Sequence, residues 1–249
     1  KVRFLVLDEA DEMLNMGFRE DIETILQGIP SEHQTALFSA TMPKPILEIT
    51  DTYQKDAVYL KMTKQELTIP LVKQYYYRVN SQIKVEVASR LLDYYGIQRS
   101  LIFCNTKRMV EEVTSYLSAH GLDAEGLHGD MKQSQRTKTM EAFKQGRKGI
   151  LVATDVAARG IDVDGIEYVF NYDIPQNTEY YVHRIGRTGR AGRKGKAISL
   201  ITPREKYKID SLEEYCNTKI KKKDMPTAAS ALTVKAYKSV SDAGEYCEG

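Results

Sequence analysis

A run of three arginines and one histidine in the second half of the chain has the composition expected of a loop that holds anions. The run reads HRIGRTGR and spans residues 183–190, and no acidic residue occurs between 183 and 196. A guanidinium group is always charged, and its fork of donors matches an oxyanion bidentately. Glycines recur at 186, 189, 192 and 195 without proline, which excludes collagen. They allow close approach to phosphate, so the segment is predicted to hold phosphate oxygens.

Three carboxylates near the start of the chain are the second candidate for chemistry. Asp8, Glu9 and Asp11 follow an apolar run at residues 2–7. Such a run is typical of a buried parallel strand, whose carboxyl end faces the ligand side of an α/β sheet. One carboxylate could hold Mg²⁺ through water, and a second could orient or deprotonate an attacking water. The alternative is structural, because Asp8 or Asp11 could cap the following helix.

Hydroxyl and histidine side chains lie at other predicted strand ends. Ser39 and Thr41 precede a proline, where such residues are usually helix caps. Thr154 and Asp155 follow an apolar strand and could cap a short helix whose free amides receive a backbone phosphate. His128 is interpreted as a loop histidine without a role of its own.

Alternating apolar strands and helices predict an α/β fold with a parallel sheet. Glycine follows several of the predicted helices, as expected for a left-handed helix end. The predicted strands are residues 2–7, 35–38, 57–60, 75–79, 100–104, 124–127, 149–153, 168–171 and 197–201. The predicted helices are residues 11–28, 45–52, 82–95, 107–120, 132–145, 178–185 and 203–217.

The pattern divides the chain into four parts. Residues 1–61 are too few to close a doubly wound sheet and are interpreted as the back half of a first domain whose natural start is missing. Residues 62–70 are polar and unpatterned, so a linker is predicted there. Residues 71–217 form one complete α/β domain, and 218–249 a basic flexible tail. The lysines within residues 219–223 either belong to that solvated tail or contact RNA.

Composition is compatible with one large domain or two smaller ones. The chain has 249 residues, 42% of them hydrophobic and 28% charged, with a net charge of +2 that alone does not indicate nucleic-acid binding. Three widely separated cysteines argue against a disulfide framework or a metal site and favour a reducing cytoplasm. No apolar run approaches the roughly 18 residues of a membrane span, so no membrane association is expected.

In their order along the chain, these segments resemble the motifs of the DEAD-box RNA helicases of superfamily two. The segments that resemble motifs II, III, IV, IVa, V and VI are residues 8–11, 39–41, 101–106, 133–136, 154–162 and 183–190. The resemblance covers residues 1–217 and is closest to bacterial, initiation-factor-like members. It implies RecA-like parallel-sheet domains that bind ATP and RNA across a cleft. The implied enzyme is an RNA-stimulated ATPase that couples ATP hydrolysis to local duplex separation and RNP remodelling.

The resemblance also implies roles for individual residues. Asp8 would bind Mg²⁺ through water, and Glu9 would position the hydrolytic water. Arg187 and Arg190 would be arginine fingers that bind the γ-phosphate of ATP, and Asp162 would accept a hydrogen bond from the ribose. The residues expected to couple the two domains are Asp11, Ser39, Thr41 and His183. The residues expected to contact the RNA backbone, independently of base sequence, are Asn105, Thr106, Gln133, Arg136 and Thr154.

The sequence departs from the family pattern in one important respect. No Gly-x-x-x-x-Gly-Lys-Ser/Thr segment occurs in the 249 residues, so a chain truncated before motif II is expected to be inactive as an ATPase by itself. One alternative function is an isolated RNA-binding RecA-like module, and another is a DNA-directed enzyme of superfamily two. A nucleotide-dependent oxidoreductase would need a Gly-x-Gly-x-x-Gly turn, which the glycines at 186–195 do not supply.

Overall fold

The computed structural model describes residues 2–30, 32–61, 71–158, 163, 165–190 and 192–226, with only the backbone of Asn15. The chain divides into two compact units, residues 1–63 and 64–249. The predicted linker at 62–70 lies outside the described residues. Among the described helices, none combines the length and the hydropathy that crossing a bilayer requires.

The first unit is a small α/β layer. Strand β1 (Phe4–Leu7) pairs in parallel with β2 (Gln34–Leu37). Its described helices are α1 (Ala10–Asn15), α2 (Arg19–Gln27) and α3 (Lys44–Tyr53). The helices bury Ile22, Leu26 and Ile49 against the inward side chains of β1.

Two predictions for the first unit were wrong. The helix predicted at 11–28 is two helices, because Gly17 adopts a φ of +84° and ends the first one. The amides of Gly17 and Phe18 donate to the carbonyls of Leu14 and Met13, at 2.9 and 3.1 Å, which is a Schellman helix end. Residues 57–60, predicted as a strand, have no regular secondary structure. They pair with no described strand, and Val58 is 82% exposed.

The second unit is built on a seven-stranded, entirely parallel sheet, with the strand order β5-β6-β4-β7-β8-β3-β9. Its strands are β3 (Val72–Arg78), β4 (Ser100–Phe103), β5 (Ala124–Leu127), β6 (Ile150–Ala153), β7 (Tyr168–Asn171), β8 (Gly195–Ile201) and β9 (Lys221–Lys223). Its helices are α4 (Lys84–Tyr95), α5 (Lys107–Ala119), α6 (Gln133–Lys144), α7 (Thr178–Ile185) and α8 (Lys206–Tyr215). Short 3₁₀ turns at Ser81–Ile83 and Pro203–Glu205 precede α4 and α8.

Both faces of this sheet are buried, which explains why its central strands are continuous apolar runs. One core cluster packs α4 and α5 on one face of the sheet, and two other clusters pack the remaining helices. The parallel arrangement places the segments after β4, β6 and β7 at the same edge of the sheet, because the carboxyl ends of parallel strands point the same way.

The basic segment at 219–223 was predicted to lie in a flexible tail, but part of it forms a strand. Lys221–Lys223 pairs in parallel with Tyr75–Tyr77 and forms the edge strand β9. Ile220 is buried, and the Nζ of Lys223 donates to the hydroxyl of Tyr95 at 3.0 Å. Lysine side chains on an edge strand commonly prevent it from pairing with the strand of another chain. The prediction of a flexible tail was therefore wrong for residues 221–223, and residues 227–249 lie outside the described part.

Gly149→Ala is expected to destabilise the second unit, because the added Cβ would lie 2.2 Å from the backbone carbonyl oxygen of Gln98. Such overpacking against backbone costs about 1–3 kcal/mol. Gly129→Ala is the matched control, since nothing lies within 4 Å of its Cβ position. Urea unfolding followed by circular dichroism measures both. Equal midpoints for the two variants would contradict the expected clash.

Candidate nucleotide and RNA site

The acids near the start of the chain lie where β1 ends. The exposed Asp8 carboxylate accepts a hydrogen bond from the Glu9 amide at 2.9 Å. Glu9 precedes α1 with a left-handed backbone, at φ 50° and ψ 43°, and its side chain makes no capping hydrogen bond. Left-handed non-glycine residues cost about 1 kcal/mol or more and concentrate at functional sites. The N-cap position is therefore Glu9 and neither Asp8 nor Asp11, although the Asp11 carboxylate accepts the Glu12 amide at 3.1 Å in the first turn of α1.

Asp11 is buried and holds the segment after β2. Its Oδ2 accepts hydrogen bonds from the Thr41 amide at 2.9 Å and the Thr41 hydroxyl at 2.8 Å. The Ser39 hydroxyl oxygen accepts a hydrogen bond from the Asp11 amide at 3.2 Å and donates to the Thr41 carbonyl at 2.6 Å. The structure thus joins three predicted coupling residues in one hydrogen-bonded cluster within the first unit.

The electrostatics of Asp11 follow from these bonds. Burial raises the pKa of Asp11, but the hydrogen bonds from the hydroxyl and amide of Thr41 act against it, with smaller effects from Ser39 and the Glu12 amide. The pKa consequently lies below its ordinary value of 3.8. Asp11 is therefore ionised at neutral pH and fixes the two segments as a carboxylate.

The Asp8 carboxylate has the chemistry that Mg²⁺ requires. It is a hard oxygen ligand in an exposed position, and a Mg²⁺ ion commonly keeps several waters and takes one or two carboxylates. The described residues contain no group of three or more potential metal ligands. A magnesium ion held mainly through water fits this arrangement better than a dedicated protein cage.

The predicted RNA contacts lie on adjacent parts of the second unit. Asn105 and Thr106 follow β4, and Thr154 follows β6, which is next to β4 in the sheet. Gln133 is the first residue of α6, and Arg136 lies one turn further along that helix. Gln133 is exposed and Arg136 partly exposed. The structure therefore brings the strand-end members of this group to one edge of the sheet.

The two threonines of this group already act as caps. The Thr106 hydroxyl oxygen accepts the Met109 amide at 3.2 Å, at the start of α5. The Thr154 hydroxyl oxygen accepts the Ala157 amide at 3.4 Å, which agrees with the predicted capping role. Each cap uses the hydroxyl oxygen as an acceptor, so the hydroxyl hydrogen of each threonine can still be donated to a phosphate.

Arg184, the first arginine of the HRIGRTGR run, lies in the protein interior and was not among the predicted site residues. It is 1% exposed, and its Nε and Nη2 donate to the two carboxylate oxygens of Asp155 at 2.6 and 2.7 Å. Nη2 also donates to the Asn105 side-chain oxygen at 3.0 Å. Nη1 donates to the Asp173 carbonyl at 2.6 Å and the Asn171 side-chain oxygen at 3.4 Å.

The sequence carried one signal for this burial. Arg184 follows Tyr181 by three residues and directly precedes Ile185, both of which are buried. A helix places residues three apart on the same face, so Arg184 lies on the apolar side of α7.

The other two arginines of the run line a pocket in the loop after α7. Arg187 and Arg190 surround it together with Arg193 and the backbone of Gly165. Between them, the buried Thr188 donates its hydroxyl to the carbonyls of Ile166 and Glu167. Asp162, the predicted ribose partner, lies outside the described residues, so its place relative to this pocket is not described.

The two histidines considered in the sequence, His183 of the basic run and the loop histidine His128, differ in environment. His183 is exposed on α7. His128 is mostly buried after β5, where its Nε2 lies 3.5 Å from the Glu111 carboxylate and its amide donates to the Met131 sulfur. These contacts indicate a structural position for His128.

Family models match both units. The model described as DEAD/DEAH box helicase matches residues 1–49, and that described as helicase conserved C-terminal domain matches residues 83–192. The DEAD-box ATP-dependent RNA helicase CshA of Bacillus licheniformis is 48% identical over 231 residues, covering 93% of this chain and 47% of that protein. The chain thus spans about half the length of the curated relatives that it matches.

Solved structures agree with these matches. The Escherichia coli DEAD-box protein SrmB, bound to regulator of ribonuclease activity A, is 38% identical with a TM-score of 0.58; the match covers 61% of this chain and 90% of that chain. The chain belongs to the DEAD-box helicase family. Dbp5 of Saccharomyces cerevisiae, bound to RNA and ADP BeF3, is 32% identical with a TM-score of 0.79 over 96% of this chain and 63% of that chain.

Membership in the DEAD-box family confirms the resemblance predicted from the motifs, and the parallel sheets with flanking helices confirm the predicted RecA-like fold class. The two family models match in the predicted order, with the DEAD-box part first. The roles of individual residues stay predictions, because they depend on bound ATP and RNA.

Thr41→Val is expected to raise the pKa of Asp11, because the variant loses the hydroxyl donor that favours the carboxylate. Folding lowers the pKa of Asp11, so Asp11 stabilises the folded state fully above pH 3.8, its ordinary pKa. This stabilisation is lost as the pH falls through the pKa of the folded state. A titration of the Asp11 carboxyl carbon by NMR measures the change. Thr24→Val is the control, because the Thr24 hydroxyl donates to a helix carbonyl. An unchanged Asp11 titration in Thr41→Val would contradict the assignment.

Proposed function

We propose that this chain carries the acids and the arginines of an ATP-dependent RNA helicase that separates short RNA duplexes and remodels RNPs. The observation that carries the proposal is the arginine loop. Arg187 and Arg190 line one pocket, while Arg184 and Thr188 beside them are buried and hydrogen-bonded. Guanidinium groups line the pocket, and hydrogen bonds hold the residues next to them in place, so the loop suits the binding of a highly charged phosphate group.

In ATP hydrolysis, Asp8 would hold a magnesium ion through water, and that ion would neutralise charge on the phosphates. Glu9 would orient the attacking water, and the strained backbone at Glu9 supports a functional role for its position. Arg187 and Arg190 would stabilise the charge that develops on the γ-phosphate, and Asp162 would accept a hydrogen bond from the ribose. Asp11, Ser39, Thr41 and His183 would couple the two units.

RNA would bind along the carboxyl edge of β4 and β6 and at the start of α6. The predicted contacts are a helix start and strand-end residues, which can donate to phosphate oxygens and 2′-hydroxyl groups: Asn105, Thr106, Gln133, Arg136 and Thr154. Such contacts carry little base information, so binding independent of sequence is expected. A related protein, Dbp5, has been solved with RNA and ADP BeF3, which supports RNA as the ligand class.

In the full helicase, the physical link between hydrolysis and strand separation would be a change of conformation. ATP and RNA together would favour one conformation if both bind it more tightly than the other. A conformation that holds one strand in a bent path would exclude a regular duplex, and phosphate release would reverse the change. The buried free cysteines Cys104 and Cys216 are compatible with action in a reducing cytoplasm.

One observation favours a second candidate function, an RNA-binding module without turnover. The 249 residues contain no Gly-x-x-x-x-Gly-Lys-Ser/Thr segment to hold the β- and γ-phosphates. Titration of labelled RNA at several salt concentrations, together with measurement of phosphate release, distinguishes the two candidates. Binding without turnover is expected for the 249 residues alone, and turnover by them would contradict the predicted need for a P-loop.

Arg190→Ala is expected to abolish most ATP hydrolysis in a joined protein, in which the portion of B. licheniformis CshA before the matched region is fused to residue 1. Loss of an arginine finger lowers the RNA-stimulated kcat roughly 10³-fold. Lys194→Ala, an exposed lysine of the same basic run, is the control and is expected to keep the rate. Steady-state phosphate release measures both. If Arg190→Ala retained the rate, the proposed catalytic role would be wrong.

Arg136→Ala is expected to weaken RNA binding by a similar factor for unrelated sequences. The slope of log K against log salt should fall by about 1, as for the loss of one phosphate contact. Arg90→Ala is the matched control, because Arg90 is exposed on α4 and paired with Glu86. A fluorescence-anisotropy titration of the 249-residue chain with several oligoribonucleotides measures both. A loss confined to one RNA sequence would argue against a backbone contact.

A further inference from the structure

Lysines and tyrosines gather on one face of the second unit's sheet, between β8 and the edge strand β9. Lys73 of β3 pairs with Lys196 of β8. Tyr75, two residues after Lys73, pairs with Lys221 of β9. Paired residues of parallel strands, and residues two apart in one strand, point to the same face. We call the exposed and partly exposed members of this group, with Tyr95 at the end of α4, the tyrosine–lysine platform: Lys73, Tyr75, Tyr95, Lys196, Lys221 and Lys223.

The platform lies apart from the segments already proposed to bind ligands. Tyr77, on the same side of β3 as Tyr75, belongs to the core cluster that packs α4 and α5. The arginine loop follows α7, which packs in the cluster of the other face with Val72. The predicted RNA contacts after β4 and β6 lie at carboxyl ends, whereas Lys73 and Lys196 are the second residues of their strands. The platform is therefore a separate surface of the unit.

Neighbouring groups hold the two tyrosine rings of the platform in place. The Tyr95 ring stacks on Tyr168, with 5.7 Å between centroids and 30° between planes. The hydroxyl groups of Tyr95 and Tyr77 lie 2.6 Å apart. The Nζ of Lys223 donates to the Tyr95 hydroxyl at 3.0 Å and lies 4.3 Å from the centroid of the Tyr75 ring. Both platform rings stay partly exposed, so a ligand would meet rings that are already oriented.

The platform lysines contact tyrosines, whereas a lysine beside them contacts a carboxylate. The Nζ of Lys196 donates to the Tyr168 hydroxyl at 2.6 Å. Lys222, whose side chain points to the other face of β9, pairs with Asp224 at 3.5 Å. In the described part of the chain, no carboxylate pairs with any of the four platform lysines. Four positive charges are thus gathered without a paired acid, an arrangement that attracts a polyanion.

Protection of the sheet edge does not account for the platform. Of its four lysines, Lys221 and Lys223 lie on the edge strand, but Lys73 and Lys196 lie on β3 and β8, inside the sheet. Neighbouring strands are about 4.8 Å apart, so the lysines cover three strands and a width of about 10 Å. A chain of phosphates reaches across that width, and a single small anion does not. Interleaved rings favour nucleic acid over an acidic peptide, because the rings can stack on bases while the lysines bind phosphates.

We propose that the tyrosine–lysine platform is a second binding surface for single-stranded RNA, separate from the strand-end contacts. Lys73 and Lys221 bind phosphates, and Tyr75 and Tyr95 stack on bases. Stacking and phosphate contacts carry little base information, so this surface binds RNA independently of sequence. The proposal rests on the proposed function for RNA as the ligand class, but it uses none of the residues predicted there.

Two double variants of the 249-residue chain test the surface. Lys73→Gln with Lys221→Gln removes two platform charges. Lys219→Gln with Lys222→Gln is the control of equal net charge, because both lysines are exposed and pair with acids outside the platform. A fluorescence-anisotropy titration with a labelled oligouridine at several salt concentrations measures the slope of log K against log salt. The platform variant is expected to reduce the slope by about 1.5 to 2, and the control by much less.

A photocrosslink locates the RNA independently of the affinity. An oligouridine that carries iodouridine is irradiated with the unmodified chain, and the peptides joined to uridine are identified by mass spectrometry. Crosslinks at Tyr75 or Tyr95 are expected, and the platform double variant should lose them. Polyglutamate, a probe for acidic protein segments, should compete with these crosslinks far less than unlabelled oligouridine of the same total charge.

The outcomes separate this proposal from the proposed function. Equal slopes in the two double variants, or crosslinks confined to other residues, would overturn the platform, while a weaker affinity of Arg136→Ala would leave the proposed function in place. Absence of RNA binding by the unmodified chain would overturn both. Polyglutamate that competes as well as oligouridine would assign the surface to an acidic protein segment instead. A thermal melt checks that the variants fold, and if one does not, the crosslinks of the unmodified chain decide.

Discussion

The second unit depends on one buried guanidinium at the carboxyl edge of its sheet. A parallel sheet directs every strand end to that edge, and each end presents backbone groups and polar side chains that must be satisfied. Arg184 satisfies those of three turns at once and leaves none of its own donors unpaired. The residues available for ligands, such as Thr154 and Arg187, are neighbours of this group in the chain. Their directions follow from contacts that the protein makes within its own interior.

In the first unit, a buried group of the opposite charge, the carboxylate of Asp11, also fixes a turn by its hydrogen bonds. Asp11 is 5% exposed; its carboxylate accepts hydrogen bonds from Thr41, its amide donates to the Ser39 hydroxyl oxygen, and the exposed Asp8 lies three residues away. In both units, an ionised and saturated side chain fixes a turn, and an exposed charge of the same sign stands beside it. The buried charge gains its stability from hydrogen bonds and does not need the exposed one. Ligand binding can therefore change the exposed charge without unfolding the turn.

Local sequence predicted the elements whose patterns are strong. Residues 124–127, 168–171 and 178–185 have the predicted bounds; residues 168–171 are mostly apolar, and a clear helix start defines 178–185. The break at Gly17 was missed because the sequence does not distinguish a glycine that ends a helix in the left-handed conformation from a glycine tolerated inside a helix. Strand β9 was missed because three lysines have no strand pattern, and its pairing partner lies far away in the chain. Arg184, Arg187 and Arg190 are alike in type and spacing; the apolar side of α7 is the one sequence signal for Arg184, and its partners are known only from the tertiary contacts.

The burial of Arg184 also explains why a basic run can serve two purposes at once. An arginine loop with every guanidinium exposed would repel itself and have no preferred direction without its ligand. Placing the first guanidinium against Asp155 neutralises it within the protein and turns it into an anchor. The glycine at 189, with a φ of +71°, then lets the chain turn between the two remaining arginines. In the proposed function, the positive charge that faces the pocket would thus be held in place before a phosphate binds, and such preorganisation would make charge stabilisation effective in phosphoryl transfer.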